Sequence, residues 1–230
     1  MNYPNILPGV FLSRPNRFVA HVRINGREET AHVKNTGRCR ELLIPGAEIY
    51  LQHHDNPRRK TRFSLISVKK GDKLINIDSQ APNQVLKEAL QEGMYLPGLV
   101  HPITCIRPES VFGNSRFDFY VEAGGQKAYI EAKGVTLEQD GVAMFPDAPT
   151  ERGVKHVREL IRAAEESFTT YVFFVIQMKG ICCMMPNDRM HAEFGSSLRA
   201  ARKAGVHIMA YDCIAKPESL RLDQPVPVIL

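Results

Sequence analysis

The chain has 230 residues, 43% hydrophobic and 24% charged, a balance that excludes disorder and collagen-like repeats. The formal net charge is +5. Residues 1–80 carry 14 Lys+Arg against 7 Asp+Glu, and the remainder 16 against 18, so the positive excess sits in the first third. That asymmetry suggests two modules, one of which meets a polyanion or carries a solvated basic face. No apolar run approaches the ~18 residues of a membrane span, and Met1-Asn2-Tyr3-Pro4-Asn5 lacks a secretory pattern. The five cysteines are odd in number and show neither CxxC nor CxxH spacing. They argue against a disulfide framework or zinc knuckle and for a reducing cytoplasm.

Residues 1–80 read as short strands at 11–14, 17–24, 27–33, 47–53, 63–69 and 74–78. Asn25-Gly26 is a strong two-residue hairpin signal. Five or six short strands at this spacing suggest a small β-barrel, of the oligonucleotide-binding or the SH3-like kind. Residues 81–230 change character. A helix at 83–91 precedes strands at 103–107, 116–122 and 127–135. A helix at 151–167, a very apolar strand at 171–177, a strand at 181–185, a helix at 190–204 and a strand at 206–211 follow. This is an α/β arrangement with a mixed sheet, so the whole reads as an α+β chain of two domains, 1–80 and 81–230.

Gly124-Gly125 suits a tight turn, and residues paired across it sum to 249. One face then carries Phe117, Phe119, Val121, Ala128, Ile130 and Ala132, and must be core. The other carries Glu122 with Lys127, Tyr120 with Tyr129, Asp118 with Glu131 and Arg116 with Lys133. Opposed carboxylates are destabilising, and relief comes from flanking cations, a raised pKa or a metal. A salt-bridge cluster with Arg116 and Lys133 is the structural reading. The chemical reading is a site for a hard cation, Mg²⁺ or Mn²⁺, with Asp118 and Glu131 as ligands and Lys133 orienting a water.

Asp118 followed by Glu131-Ala132-Lys133 resembles the PD-(D/E)xK nuclease superfamily, although Phe117 stands where that superfamily often has proline. A longer set of motifs resembles the sugar fermentation stimulation protein A (SfsA) family. They are Phe11-Leu12-x-Arg14-x-Asn16-Arg17-Phe18, Asn35-Thr36-Gly37-Arg38, Glu41-Leu42-Leu43, Pro45-Gly46-Ala47, Arg116-Phe117-Asp118, Glu131-Ala132-Lys133-Gly134-Val135-Thr136 and Phe145-Pro146-Asp147-Ala148-Pro149-Thr150-Glu151-Arg152-Gly153-x-Lys155-His156. The resemblance implies an N-terminal oligonucleotide-binding barrel and a C-terminal nuclease-like domain. It also implies DNA binding without sequence preference and a regulatory role in maltose metabolism.

Further candidates follow. Thr150 is an expected N-cap, and Lys155, off the apolar stripe of its helix, could steady a phosphate or face solvent. His156 and Asp147 could contact the site or serve structure alone. Glu88, on the preceding helix, stands where related nucleases often place a metal-assisting acid. Arg14, Arg17, Lys34 and Arg38 are candidate phosphate contacts. With pairs summing to 51, Arg17 faces Lys34, and residues 35–38 offer backbone donors of a phosphate-cradling kind. Arg58, Arg59, Lys60 and Arg62 form a basic loop, for DNA or for solvent. Phe18 and Phe63 could stack bases or fill the barrel. Two functions stand: a metal-dependent nuclease that holds DNA on its barrel, and a non-enzymatic DNA-binding regulator.

Overall fold

The computed structural model describes residues 1–230 except Thr36 and His101. Its first part is β1 (Ile6–Asn16), β2 (Val19–Ile24), β3 (Arg27–Val33), β4 (Glu48–His53), β5 (Phe63–Lys70) and β6 (Lys73–Asn76). Asn25 and Gly26 take φ values of 49° and 78°, as a type I′ turn needs. They set the β2–β3 register from Ile24↔Arg27 to Val19↔His32. The order β3-β2-β1-β4-β5, with β3 also pairing β5, closes a five-stranded barrel with the oligonucleotide-binding strand arrangement. Phe11, Val22, Ile49, Leu51 and Leu65 fill it. Phe63 to Val68 of β5 is buried without interruption; Phe63, Leu65 and Val68 belong to the core, and Ser64 is covered by His54 and Arg59.

The second part comprises α1 (Ala81–Gln91), β7 (Ile103–Phe112), β8 (Ser115–Ala123), β9 (Gln126–Val135), β10 (Leu137–Gln139), β11 (Val142–Phe145), α2 (Glu151–Glu165), β12 (Thr169–Ile176), β13 (Cys183–Pro186), α3 (Asp188–Lys203), β14 (His207–Lys216) and β15 (Ser219–Pro225). The main sheet runs β15-β14-β12-β9-β8-β7. Only β9–β12 and β12–β14 are parallel within it, so it is the expected mixed sheet. Central β12 alternates between two cores. Tyr171, Phe173 and Val175 pack with Val85, Leu86 and Leu90 of α1. Val172, Phe174 and Ile176 join Val154, Val157 and Leu160 of α2 and Leu198 of α3. A strand covered on both faces reads as a continuous apolar run.

Three strands lie outside the expected elements, although Asp140-Gly141, with φ values of 52° and 82°, is a two-residue hairpin signal that joins β10 to β11. β10 and β11 are very short, and β11 gains a parallel partner in β13 from a distant segment. β15 is polar and ends on Pro225, as an edge strand tolerates. It lengthens β14 past the expected end at residue 211.

The two parts meet in a polar seam. The buried Gln177 carboxamide donates to Asn76 Oδ1 and to the Asp78 carbonyl, both at 3.0 Å. Lys70 Nζ reaches buried Glu138 at 2.8 Å. The first residues also cross over, with Asn2 bridging Ser219 and the Tyr3 N–H donating to the Glu218 carbonyl. Among the described residues no helix is long and apolar enough to cross a membrane.

Candidate functional site

The β8–β9 ladder has the expected register, from Ala123↔Gln126 to Phe119↔Ile130. It ends one step short of the carboxylates. Asp118 Oδ2 accepts the Ala132 N–H at 2.8 Å, where a continued ladder would use a main-chain carbonyl. Phe117 does not share the core of Phe119 and Val121; it packs on Tyr129 and His156 on the opposite side. The alternation breaks where the strands part. Asp118 is therefore tied towards α1, through Asn83 Nδ2 at 2.7 Å, and Glu131 towards α2. Arg116 does not relieve the pair either, since it is exposed and bonded to Glu109 at 2.9 Å.

Glu131 is 3% exposed and His156 6%. His156 Nδ1 lies 2.5 Å from Glu131 Oε1, and the Lys133 ammonium meets the same oxygen. A carboxylate only accepts, so Nδ1 carries the proton, and Nε2 faces Arg152 Nε at 3.4 Å. Glu131 Oε2 is buried and finds no hydrogen-bond partner among the described residues. Burial and then the Glu131 charge hold the Asp118 carboxyl above its usual range, against Lys133. Burial pushes Glu131 upward too, but His156 and Lys133 outweigh it and keep that carboxyl low. A hard cation fits this donor set: it would give Oε2 the partner it lacks and cancel the repulsion that raises Asp118.

The other α2 and α1 candidates lie elsewhere. Thr150 caps α2 by accepting the Gly153 N–H at 3.1 Å. That turns buried His156 towards Glu131 and leaves Lys155 exposed, donating to the Asn114 carbonyl at 3.0 Å. Glu88 sits on another flank of α1, where it takes the Met1 amino group at 2.6 Å. Asn83 is the α1 residue that reaches the acids. Its signal was positional: it is five residues before Glu88, which puts it on a different side of the helix.

Past Lys133, the strand lines a cleft of about 120 Å³ between the two parts, walled by Asn35, Ser79, Pro82, Gly134, Asp147 and Gln177. The loop carrying Asp147 and Ala148 leads on to a basic groove of about 450 Å³, lined by Arg14, Arg17, Arg38 and Arg40. Arg40 is an addition to the sequence-based set. Arg14 is committed to structure as well. Its Nη1 donates to the Gly37 and Arg38 carbonyls and its Nη2 to those of Arg17 and Asn35, all within 2.9 Å. The expected phosphate cradle at 35–38 is thus a set of carbonyls gathered by Arg14, with the Gly37 N–H held by Asn35 Oδ1 at 2.7 Å; Thr36 lies outside the described residues.

Lys34 is not opposed to Arg17. The β2–β3 ladder stops at Val19↔His32, Arg17 enters the β1–β2 turn, and Lys34 Nζ pairs with buried Asp78 at 2.7 Å. Arg58, Arg59, Lys60 and Arg62 precede β5, which runs parallel to β3 from Ala31↔Phe63. They therefore lie towards the opposite end of β3 from Arg38, with Lys60 and Arg62 beside Glu28 and Glu29.

One grouping of three metal-type ligands, Glu151, His191 and Glu193, joins α2 to α3 among the described residues. His191 Nδ1 accepts the Thr150 N–H at 3.2 Å, which leaves its proton on Nε2, facing Glu151 at 3.3 Å. Glu193 is paired with Arg158 at 2.7 Å. His191 and Glu151 thus engage each other, and Glu193 engages Arg158.

Residues 12–77 match the family model "SfsA N-terminal OB domain", and residues 80–219 match "Sugar fermentation stimulation protein RE domain". The chain is 55% identical to a sugar fermentation stimulation protein homolog of Desulfitobacterium hafniense, over 100% of this chain and 99% of that one. It is 54% identical to the homolog of Clostridium beijerinckii, over 100% of both. Among solved structures it is similar to "The structure of Pyrococcus Furiosus SfsA in complex with Ca2+", with a TM-score of 0.89, 29% identity, and coverage of 100% of this chain and 98% of that one. Matched by two family models in succession and by full-length relatives at more than half identity, the chain belongs to the sugar fermentation stimulation protein family.

Proposed function

We propose that this protein is a divalent-cation-dependent nuclease that holds DNA on its barrel and hydrolyses a phosphodiester at the end of the β8–β9 ladder. The observation that carries the reading is Glu131. One of its oxygens receives two donors, the other is buried without a partner among the described residues, and the charge of a second carboxylate, Asp118, is felt beside it. Asp118 and Glu131 would hold Mg²⁺ or Mn²⁺. The cation supplies Lewis-acid polarisation of the phosphate and a more acidic water. The calcium of the Pyrococcus relative agrees with a preference for hard, oxygen-seeking cations.

The chain's own residues do the rest. His156 and Lys133 keep Glu131 ionised and fix its plane. Lys133 places a positive charge beside the position where negative charge develops on the phosphate. Asn83 and the Ala132 N–H orient Asp118. The arginine groove would hold a DNA backbone, and Asp147-Ala148 link it to the cleft that Gly134 of β9 lines. Residues 1–80 serve as the holding module and 81–230 as the cutting module.

The test is cleavage of supercoiled plasmid and a labelled single strand with Mg²⁺, Mn²⁺ or EDTA, beside an Asp118→Asn, Glu131→Gln double variant. Cation-dependent cutting that disappears in the variant is expected. Salt-sensitive binding without cutting in either metal would defeat the nuclease reading. It would leave the DNA-binding regulator, which the basic groove supports without the acids.

A further inference from the structure

We infer that the basic groove takes single-stranded nucleic acid, with Phe18 as the platform on which its bases stack. The inference rests on the DNA-holding part of the reading above and adds the strand form that the barrel recognises. Of the barrel phenylalanines, Phe11 is 1% exposed and Phe63 8%, both in the core, whereas Phe18 is 51% exposed. Core packing therefore accounts for two of them and leaves Phe18 unexplained.

Phe18 is not a loose tip. Its N–H donates to Asn16 Oδ1 at 2.9 Å, and its carbonyl accepts the Val33 N–H at 2.8 Å. The backbone is pinned on both sides while the ring stands out. The Arg17 guanidinium lies 5.9 Å from the ring centroid, and Arg17 also lines the groove with Arg14, Arg38 and Arg40. Among the described residues the groove lining includes no carboxylate. An exposed apolar ring thus stands beside Arg17, one of the four arginines that line the groove.

That pairing discriminates between forms of DNA. A single strand offers phosphates to the arginines and unpaired bases to the ring, and stacking tolerates any base. A duplex keeps its base faces stacked inside and offers Phe18 sugar, phosphate and base edges, but no open face on which to stack. Arginines alone would bind both forms through the backbone; the exposed ring adds a contact that only an unstacked base can make.

The experiment uses the full chain in EDTA, so that no strand is cut. Fluorescence anisotropy follows three labelled ligands of equal length, roughly a dozen nucleotides: a thymidine homopolymer, its abasic analogue and a duplex. Wild type should bind the homopolymer more tightly than the abasic strand or the duplex. Phe18→Ala should weaken homopolymer binding about ten-fold and leave the other two unchanged, and Phe18→Trp should restore it. Equal affinity of wild type and Phe18→Ala for the homopolymer would overturn the inference while leaving a DNA-holding barrel. Absence of binding to all three ligands would overturn that reading as well.

Discussion

His156 Nδ1 sits 2.5 Å from Glu131 Oε1, with both side chains buried and belonging to different elements, α2 and β9. The bond decides which carboxylate oxygen is left over. With Oε1 occupied by His156 and Lys133, Oε2 is left without a partner among the described residues, and it is the atom a cation would take under the proposed function. A group that orients a ligand typically controls metal affinity 10–100-fold. His156→Ala should therefore weaken Mn²⁺ or Ca²⁺ binding by about that factor in calorimetry. His156→Asn, which keeps a donor, should recover part of it. Unchanged affinity in His156→Ala would reduce the residue to packing against Phe117.

Cation binding should also register as stability. A ligand of the folded state at 100 times its Kd adds about 2.7 kcal/mol. Mn²⁺ or Ca²⁺ should raise the Tm of the wild type in a thermal melt and leave that of Asp118→Asn, Glu131→Gln unmoved. A shift of equal size in both proteins would place the cation somewhere other than this site.

Glu138 predicts an acid-sensitive seam between barrel and sheet. Its carboxylate is buried and takes Lys70 Nζ at 2.8 Å and the Gly141 N–H at 2.7 Å. Burial pushes its carboxyl up, but Lys70 and the Gly141 N–H outweigh that and hold it below the ordinary 4.5. A lowered acid stabilises the fold above its unfolded value and loses that contribution as pH falls through the folded one. Glu138→Gln should thus cost about 1–3 kcal/mol near neutral pH. The gap from wild type should close in denaturant melts taken progressively below pH 4.5. A gap independent of pH would assign the loss to neutral hydrogen bonding.

The groove arginines should separate into two kinds. Arg14 gathers four backbone carbonyls, so Arg14→Ala should lower thermal stability by about 1–3 kcal/mol and weaken DNA binding with it. Arg38→Ala and Arg40→Ala should leave the Tm in place and reduce the salt slope of DNA affinity by about one each. Salt titrations of binding beside melting curves would show the difference. A normal Tm in Arg14→Ala would refute its structural role.

Much of the architecture was written locally. Asn25-Gly26 and the run 171–176 sit where neighbouring residues alone specify a turn and a strand, and Thr150 caps α2 by a bond three residues away. The register through Gly124-Gly125 is of the same kind, and so is the presence of Asp118, Glu131 and Lys133 together at one end of it. Alternation holds only while the ladder continues, however. It could not show that β8 and β9 part at Asp118, or that Phe117 changes sides. Those outcomes depend on α1 and α2, whose Asn83 and His156 arrive from residues 35 and 25 positions away to bond the two acids. The same limit separates Arg14 from Arg38 and Lys34 from Arg17. A charged residue in sequence is a potential phosphate contact, and only the folded chain shows whether a carbonyl or a buried carboxylate has already claimed it.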